Sequence, residues 1–492
     1  MKSLRANIWK IAILLTALFI LLIAYGAYSL TTYGSRWFST SANTYLRSAK
    51  QNVIPGDVQD VNGVTLLTAN VAEDENGETT WSRVWPADQT LRQSVVHVLG
   101  DSQNNVSNGV EAFMANYLYG FEATFPERLG SFLSGQTRRG DSLTLTIDSA
   151  LCRQITEWIA QDEALPDDVR GAVVVMNWQT GAVLAEMSFP SFDPLSSRSY
   201  RNDAGQPYFN RAIQGKYAPG STFKIVTAAG ILASPELRSQ SFTCSGILRM
   251  EESGEHDITD AGTRLAEGQV VSHGQLDLQT AFRVSCNNAF AYAAWQLGDE
   301  QLKKTAQAFG FDDNFLFRDI VLENSAYPGA DRSDWEIAMT GIGQSGLLLT
   351  PMHLCLIASA IANNGVMMEP RLLERAETAA GAERLHFTSA VYRTPLTDPD
   401  TIHSLRSYMY DVVNTAGGTG RAASLIGWRV CGKTGSAEID GQENTNAWFT
   451  GFIDSEKAPY SVAILLEDVG GGGTYAAPLA QKIFKYLTAQ VK

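Results

Sequence analysis

The sequence predicts an α+β protein tied to a membrane by one N-terminal helix. Three observations carry this: a long uncharged run near the start, a polar, turn-forming stretch after it, and a mixture of apolar strands and helices beyond about residue 141. The 20 residues from Ile11 to Leu30 hold no charge. At ~1.5 Å per residue they span ~30 Å, the thickness of a hydrocarbon core. Lys2, Arg5 and Lys10 lead the chain with no acidic residue among them, which predicts a cytoplasmic N-terminus over 1–10, an anchor over 11–30 and an exported remainder. Trp9, Tyr25 and Tyr28 stand near the two ends, as an aromatic belt would. A cleaved signal peptide is the alternative, since Ala24, Gly26 and Ala27 lie near the end of the run. Its length exceeds a typical signal h-region and favours an uncleaved anchor. No cysteine precedes Cys152, so a lipid-modified N-terminus is not expected.

With 492 residues, 45% of them hydrophobic, the chain can bury a sizeable core and holds more than one domain. A net charge of -14 excludes nucleic acid as a partner, because phosphate binding wants a basic face. Residues 31–140 are rich in turn formers, such as Glu73–Gly77, and carry no catalytic constellation. From 141 to 492, Ala172–Met176 and Val183–Met187 flank a turn at 177–181. Ile225–Leu232 continues a helix begun near Ser221. Leu276–Leu297 reads as helical with a break at 284–288. Tyr460–Leu466 is a buried strand with Trp428–Lys433 and Ala447–Ile453 as expected antiparallel neighbours, placing Lys433 at a strand end. Gly470–Gly473 reads as a mobile loop and Ala477–Leu487 as a closing helix. The expected architecture is an antiparallel sheet flanked by helices, the site lying between the sheet edge and a helical lobe.

The chemistry concentrates in three short segments in fixed order: Ser221-Thr222-Phe223-Lys224 after Ala218-Pro219-Gly220, then Ser285-Cys286-Asn287, then Lys433-Thr434-Gly435-Ser436. A serine hydroxyl becomes a nucleophile only when a positioned base takes its proton. On a helix, residues three apart share a face, so Ser221 Oγ and Lys224 Nζ are expected to meet. Burial and a second cation, Lys433, would lower the Lys224 pKa toward that of a usable base. Ser285 can relay a proton to a leaving amine with Lys433 behind it. Asn287 can hold a substrate amide in register. Thr434, Gly435 and Ser436 offer a polar, positive edge for a substrate carboxylate. The backbone N–H groups of Ser221 and Ser436 are the candidates for an oxyanion hole.

The five cysteines (152, 244, 286, 355 and 431) form no CxxC and no zinc spacing, and the six histidines show no HExxH. The reading is therefore free buried thiols, with Cys286 and Cys431 packed behind the site, structural or surface histidines, no metal and no cofactor.

These three segments resemble those of the class B penicillin-binding proteins, monofunctional peptidoglycan D,D-transpeptidases. Similar wording runs through Arg139–Asp148, Gly171–Val175, Phe189–Pro194, Asn210–Ala212, Gly341–Gln344 with Thr350-Pro351, and Ala447–Phe452. The match covers about 140–492. Upstream, Ile54–Gly63 resembles the family's early signature more loosely, with Val61 where an arginine usually follows the aspartate. The resemblance implies a penicillin-binding, serine β-lactamase-like transpeptidase domain over 141–492 and a strand-rich, membrane-proximal pedestal over 31–140, which is too short for a glycosyltransferase domain. It implies that Ser221 is acylated by stem peptides and by β-lactams. It also implies a partner glycan polymerase of the shape, elongation, division and sporulation type, contacted through anchor and pedestal. D,D-carboxypeptidase, serine β-lactamase and non-catalytic β-lactam sensor are the alternatives. Against the lactamase, Ser285-Cys286-Asn287 lacks the Ser-x-Val of class D, and no class A-like glutamate stands between Asn287 and Lys433. Against the sensor, about ten residues precede the anchor.

Overall fold

Five antiparallel strands organise the chain, in the spatial order Val430–Ala437, Asn446–Ile453, Tyr460–Glu467, Arg170–Asn177 and Val183–Phe189. The structure is a computed structural model describing residues 2–38 and 53–491, apart from 74, 76–78, 102, 104, 107, 136, 251–256, 264–267 and 439–443. All eight residues of Asn446–Ile453 are buried, and Tyr460–Glu467 is buried except at its ends. Continuous apolar runs of this kind belong to strands covered on both faces. The helix Pro351–Ala362, buried at every residue, and the helix Ala476–Ala489 pack on this sheet.

The order departs from expectation at one place. Asn446–Ile453 stands between the other two C-terminal strands, so the segment around Lys433 does not neighbour Tyr460–Glu467. Hairpin connections put consecutive strands side by side, and 430–437, 446–453 and 460–467 form a simple meander. The other neighbour of Tyr460–Glu467 is Arg170–Asn177, which returns from far upstream.

A second sheet has six strands and draws on both sides of residue 140. Its order is Glu383–His386, Leu373–Glu377, Ser142–Leu145, Val58–Gln59, Thr65–Glu73 and Thr79–Val84. Val58–Gln59 runs parallel to Ser142–Leu145. Asp60, fully buried, ties this sheet to the helix Ser149–Ala160. Its Oδ1 accepts the backbone N–H of Asn62 at 2.9 Å and of Val64 at 2.8 Å, and its Oδ2 accepts the Ser149 hydroxyl at 2.6 Å. The loosely matched upstream segment thus supplies a structural carboxylate. Most of the polar turn at 73–77 lies outside the described residues.

The N-terminal helix runs Lys2–Phe38. Within it, Asn7–Ser29 is long and apolar enough to cross a membrane, and its large side chains, Leu21 and Ile23 among them, face outward.

Candidate active site

The site assembles where the edge strand Val430–Ala437 meets a tight turn and a broken helix. Gly220–Phe223 forms a three-ten turn, and the α-helix Lys224–Ala233 begins at the lysine. The α-helix expected from Ser221 onward therefore starts three residues later. Gly220 takes φ +52°, and a Cβ there would lie 2.5 Å from the Ser436 carbonyl oxygen. Gly435 faces the same contact from the strand, where a Cβ would press on Thr222 and Pro219. The glycines let the strand approach the turn, and Trp448 locks them together by donating its indole N–H to the Ala218 carbonyl at 3.1 Å.

The helical stretch 276–297 is broken as the sequence indicates. Leu278–Arg283 ends, Ser285 takes φ +60°, and a new helix runs Asn287–Leu297. The left-handed conformation is costly for a residue with a side chain, by about 1–2 kcal/mol, and such strain persists where surrounding contacts hold it. Here the Ser285 carbonyl accepts a hydrogen bond from Lys224 Nζ at 2.7 Å.

Both lysines are fully buried. Lys224 Nζ also donates to Asn287 Oδ1 at 2.7 Å and lies 3.4 Å from Ser285 Oγ. Lys433 Nζ donates to Ser285 Oγ at 2.8 Å and to the Thr434 carbonyl at 2.9 Å. Each ammonium also sits near a ring face, Lys224 over Phe290 and Lys433 over Phe282. Burial draws the Lys224 pKa down to about 8, against the pull of Cys286 and Asp260. Burial, followed by the charge of Lys224, pushes Lys433 well below the ordinary lysine range.

A cleft of about 760 Å³ opens over these groups, lined by Ser221, Ser285, Asn287, Thr434, Gly435 and Ser436. The structure thus brings all three sequence segments together, with two departures in detail. Among the described residues, the hydrogen bonds of Lys224 Nζ go to the Ser285–Asn287 turn and not to Ser221 Oγ, which faces the cleft. Lys433 sits in the middle of its strand, opposite Thr450, and not at its end. The strand continues to Ala437 because Thr434–Ser436 forms the cleft's edge. The Asn287 amide is largely committed internally, since its Nδ2 donates to the Thr259 carbonyl at 2.9 Å.

The sequence missed several participants. Thr419 Oγ1 shares a 2.6 Å hydrogen bond with Thr434 Oγ1. The glycine loop is not free: a Cβ on Gly472 would come 2.0 Å from the Trp448 carbonyl oxygen and 2.5 Å from that of Gly435. Its glycines serve close packing beside the cleft. Cys286 does pack behind the site, but in company. Its thiol, with Cys244, Asp260 and His273, forms a group whose ligand atoms all lie within 4.8 Å of one another. Residues 13 to 42 positions apart give no local spacing by which this could be read.

Comparison with known proteins agrees with this geometry. A family model described as the penicillin binding protein transpeptidase domain matches residues 171–485. The peptidoglycan D,D-transpeptidase PbpA of Mycolicibacterium smegmatis is 29% identical over 442 residues, covering 85% of this chain and 86% of the relative. The peptidoglycan D,D-transpeptidase MrdA of Haemophilus influenzae is 28% identical over 394 residues, 71% of this chain and 57% of that longer protein. Among solved structures, the imipenem acyl-enzyme of penicillin-binding protein A from M. tuberculosis superposes with a TM-score of 0.77 at 25% identity, covering 89% of this chain and 99% of the other. A five-stranded sheet, the Ser221 turn at its edge and a family match over residues 171–485 leave one conclusion: the chain belongs to the class B penicillin-binding proteins.

Proposed function

We propose that the chain is a membrane-anchored peptidoglycan D,D-transpeptidase working through an acyl-enzyme on Ser221. The observation that carries this reading is the convergence of two buried lysines on the Ser285 hydroxyl, beside a serine whose own hydroxyl opens to the cleft. Lys224, neutral above pH 8 or so, takes the Ser221 proton. The Ser221 oxygen attacks the carbonyl of the penultimate D-alanine of a stem peptide. The oxyanion is held by the backbone N–H groups of Ser221 and Ser436. As the C–N bond breaks, Ser285 passes a proton to the departing D-alanine amine and receives in exchange the proton that Lys224 took from Ser221, with Lys433 holding the relaying hydroxyl in place. A second stem peptide's amine then attacks the ester and gives up a proton, which Lys224 returns to the departing Ser221 oxygen as the C–O bond breaks and the crosslink forms. Thr434, Gly435 and Ser436 hold the acyl donor along the strand edge, and Asn287, facing them across the cleft, offers the one Nδ2 hydrogen that Thr259 leaves. β-Lactams enter the same path, because their strained amide presents the same carbonyl to Ser221.

Within this reading, 1–10 lies in the cytoplasm, 11–30 spans the membrane and 31–140 lifts the domain 141–492 to the wall. The basic residues ahead of the apolar helix support that orientation. A glycan polymerase of the shape, elongation, division and sporulation type is the partner such an anchor and pedestal would meet. The test is labelling of the full-length protein in detergent with a fluorescent penicillin. Stoichiometric labelling lost in Ser221→Ala is expected, and equal labelling of both proteins sinks the assignment. Crosslinking of lipid-linked nascent glycan separates this reading from a carboxypeptidase, which would release D-alanine without joining chains. Fast catalytic turnover of the penicillin would instead point to a lactamase.

A further inference from the structure

Glu186 interrupts an apolar strand. It stands in the middle of Val183–Phe189 and is only 2% exposed, between Ala185 and Met187. Asp319, outside any helix or strand, is 3% exposed. Carboxylates this deeply enclosed are ordinarily answered by a cationic side chain or a metal ion. Here neutral groups supply the hydrogen bonds. Asn210 Nδ2 donates to Glu186 Oε1 at 2.8 Å, and the N–H groups of Leu372 and Leu373 donate to Asp319 Oδ2 at 2.8 and 2.7 Å. Arg318, whose charge reaches Asp319, is committed to Glu369 at 2.9 Å. Among the described residues, neither buried carboxylate has an ion-pair partner.

We propose that these two carboxylates and the amide of Asn108 form a calcium site. The three side chains line one small cavity, walled otherwise by apolar groups such as Val98, Phe113 and Ile320. Asp319 Oδ1 and both polar atoms of the Asn108 amide are enclosed and lack any hydrogen-bond partner among the described residues. The available donors are all oxygen, the set that suits hard cations and not zinc or copper. The cavity, about 10 Å³, holds a single water-sized occupant. That disfavours magnesium, which keeps several waters, and suits calcium, which accepts protein oxygens in irregular geometry. Burial pushes both carboxyl groups up to about 7, and the charge of Asp319 adds to the rise at Glu186. A dication between them removes that repulsion and leaves no net charge in the cavity.

The ligands come from distant parts of the chain. Asn108 precedes the short helix Val110–Phe113, and Glu186 belongs to the five-stranded sheet. Asp319 holds the backbone where Leu373–Glu377 enters the six-stranded sheet. One ion ties all three together. In the domain plan proposed above, on which this role rests, the ion fastens the pedestal to the catalytic domain, outside the membrane.

The full-length protein in detergent, stripped with a chelator and dialysed, tests this by equilibrium dialysis with radioactive calcium and by thermal melting. About one calcium per chain should bind with a Kd of about 10⁻⁴ M, in the range of extracellular modules. Calcium at about 10 mM should raise the melting temperature by about 2–4 °C, and magnesium by less than about half of that. Glu186→Gln and Asp319→Asn should abolish the calcium shift. Glu300→Gln, on the helix Asp299–Ala308, should keep it, because weak binding to surface carboxylates is common to every variant. A carboxylate with a merely structural role would instead lower the melting temperature equally with and without calcium, and that result in Glu186→Gln overturns the site. Should either variant fail to fold, calcium binding and the calcium shift of the unmodified protein, set against magnesium, decide alone. No bound calcium, a shift as large in Glu186→Gln as in the unmodified protein, or an equal shift with magnesium overturns the proposal. Neither measurement involves Ser221, so such a failure leaves the acyl-enzyme reading standing.

Discussion

Lys433 Nζ donates to Ser285 Oγ at 2.8 Å across 148 residues of chain. The same hydroxyl lies 3.4 Å from Lys224 Nζ, so one small side chain bridges two buried ammonium groups. A proton can pass along this line only while the hydroxyl is present. Ser285→Ala should therefore lower the rate of Ser221 acylation by about 10²–10⁴-fold, the usual range for a lost acid–base participant. Circular dichroism and thermal melting should show a folded protein. A stopped-flow acylation rate within a few-fold of the unmodified chain would remove Ser285 from the reaction.

The depressed pKa of Lys224 sets a pH profile. Below about 8 the group is protonated and cannot act as base, and above it the neutral amine is available. Acylation should rise about tenfold per pH unit on the acid side and level off above pH 8. The linkage to stability has the matching sign. Between about 8 and the ordinary value of 10.5, the unfolded chain binds the proton and the folded chain does not, so this residue's contribution to stability grows with pH across that window. Lys224→Arg, protonated throughout, should give a protein without the rising limb of activity. A profile centred near 6 would point to a different base.

Much of this site was legible before any coordinates, and the reason is physical. A nucleophile, a base and a proton relay demand particular side chains, and Ser221, Lys224, Ser285 and Lys433 announce themselves by type and order. The strands at 172–176, 183–187, 447–453 and 460–466 were legible because a sheet covered on both faces needs unbroken apolar runs. Sheet order was not, because nothing in Tyr460–Glu467 itself says that Arg170–Asn177 pairs with it. Nor was the direction of Lys224 Nζ: spacing places it beside Ser221, but the left-handed Ser285 turns a carbonyl toward it. Cys244, Asp260 and His273 escaped for the same reason, since only the fold brings them to Cys286.

Gly435 carries a packing constraint that sequence spacing cannot reveal. A Cβ there would lie 2.9 Å from Thr222 Cγ2, 3.0 Å from the Pro219 carbonyl oxygen and 3.1 Å from Trp448 Cβ. Two of these neighbours are backbone or tied directly to it, so the strand must move and not the side chains. Gly435→Ala should cost about 1–3 kcal/mol of stability, as overpacking does. It should lower acylation about 10²-fold by shifting the strand edge relative to Ser221, since a 1 Å displacement suffices for that. Thermal melts and acylation rates measured together decide it, and full activity in the variant would mean the strand edge tolerates displacement.

Asp60 provides the contrasting case, a buried carboxylate whose work is structural. It accepts from Asn62, Val64 and Ser149, and it is fully enclosed. Asp60→Ala leaves the buried Ser149 hydroxyl and N–H, and the Asn62 and Val64 N–H groups of a surface turn, without their acceptor and should cost about 3 kcal/mol. Asp60→Asn keeps one carbonyl oxygen for Asn62 and Val64 and should lose less. Because the contacts of Asp60 lie in the six-stranded sheet and the helix Ser149–Ala160, the acylation rate per folded molecule should not change in either variant. Denaturant unfolding monitored beside penicillin labelling separates the two quantities. A fall in the labelling rate without a fall in stability would instead place this carboxylate in communication with Ser221.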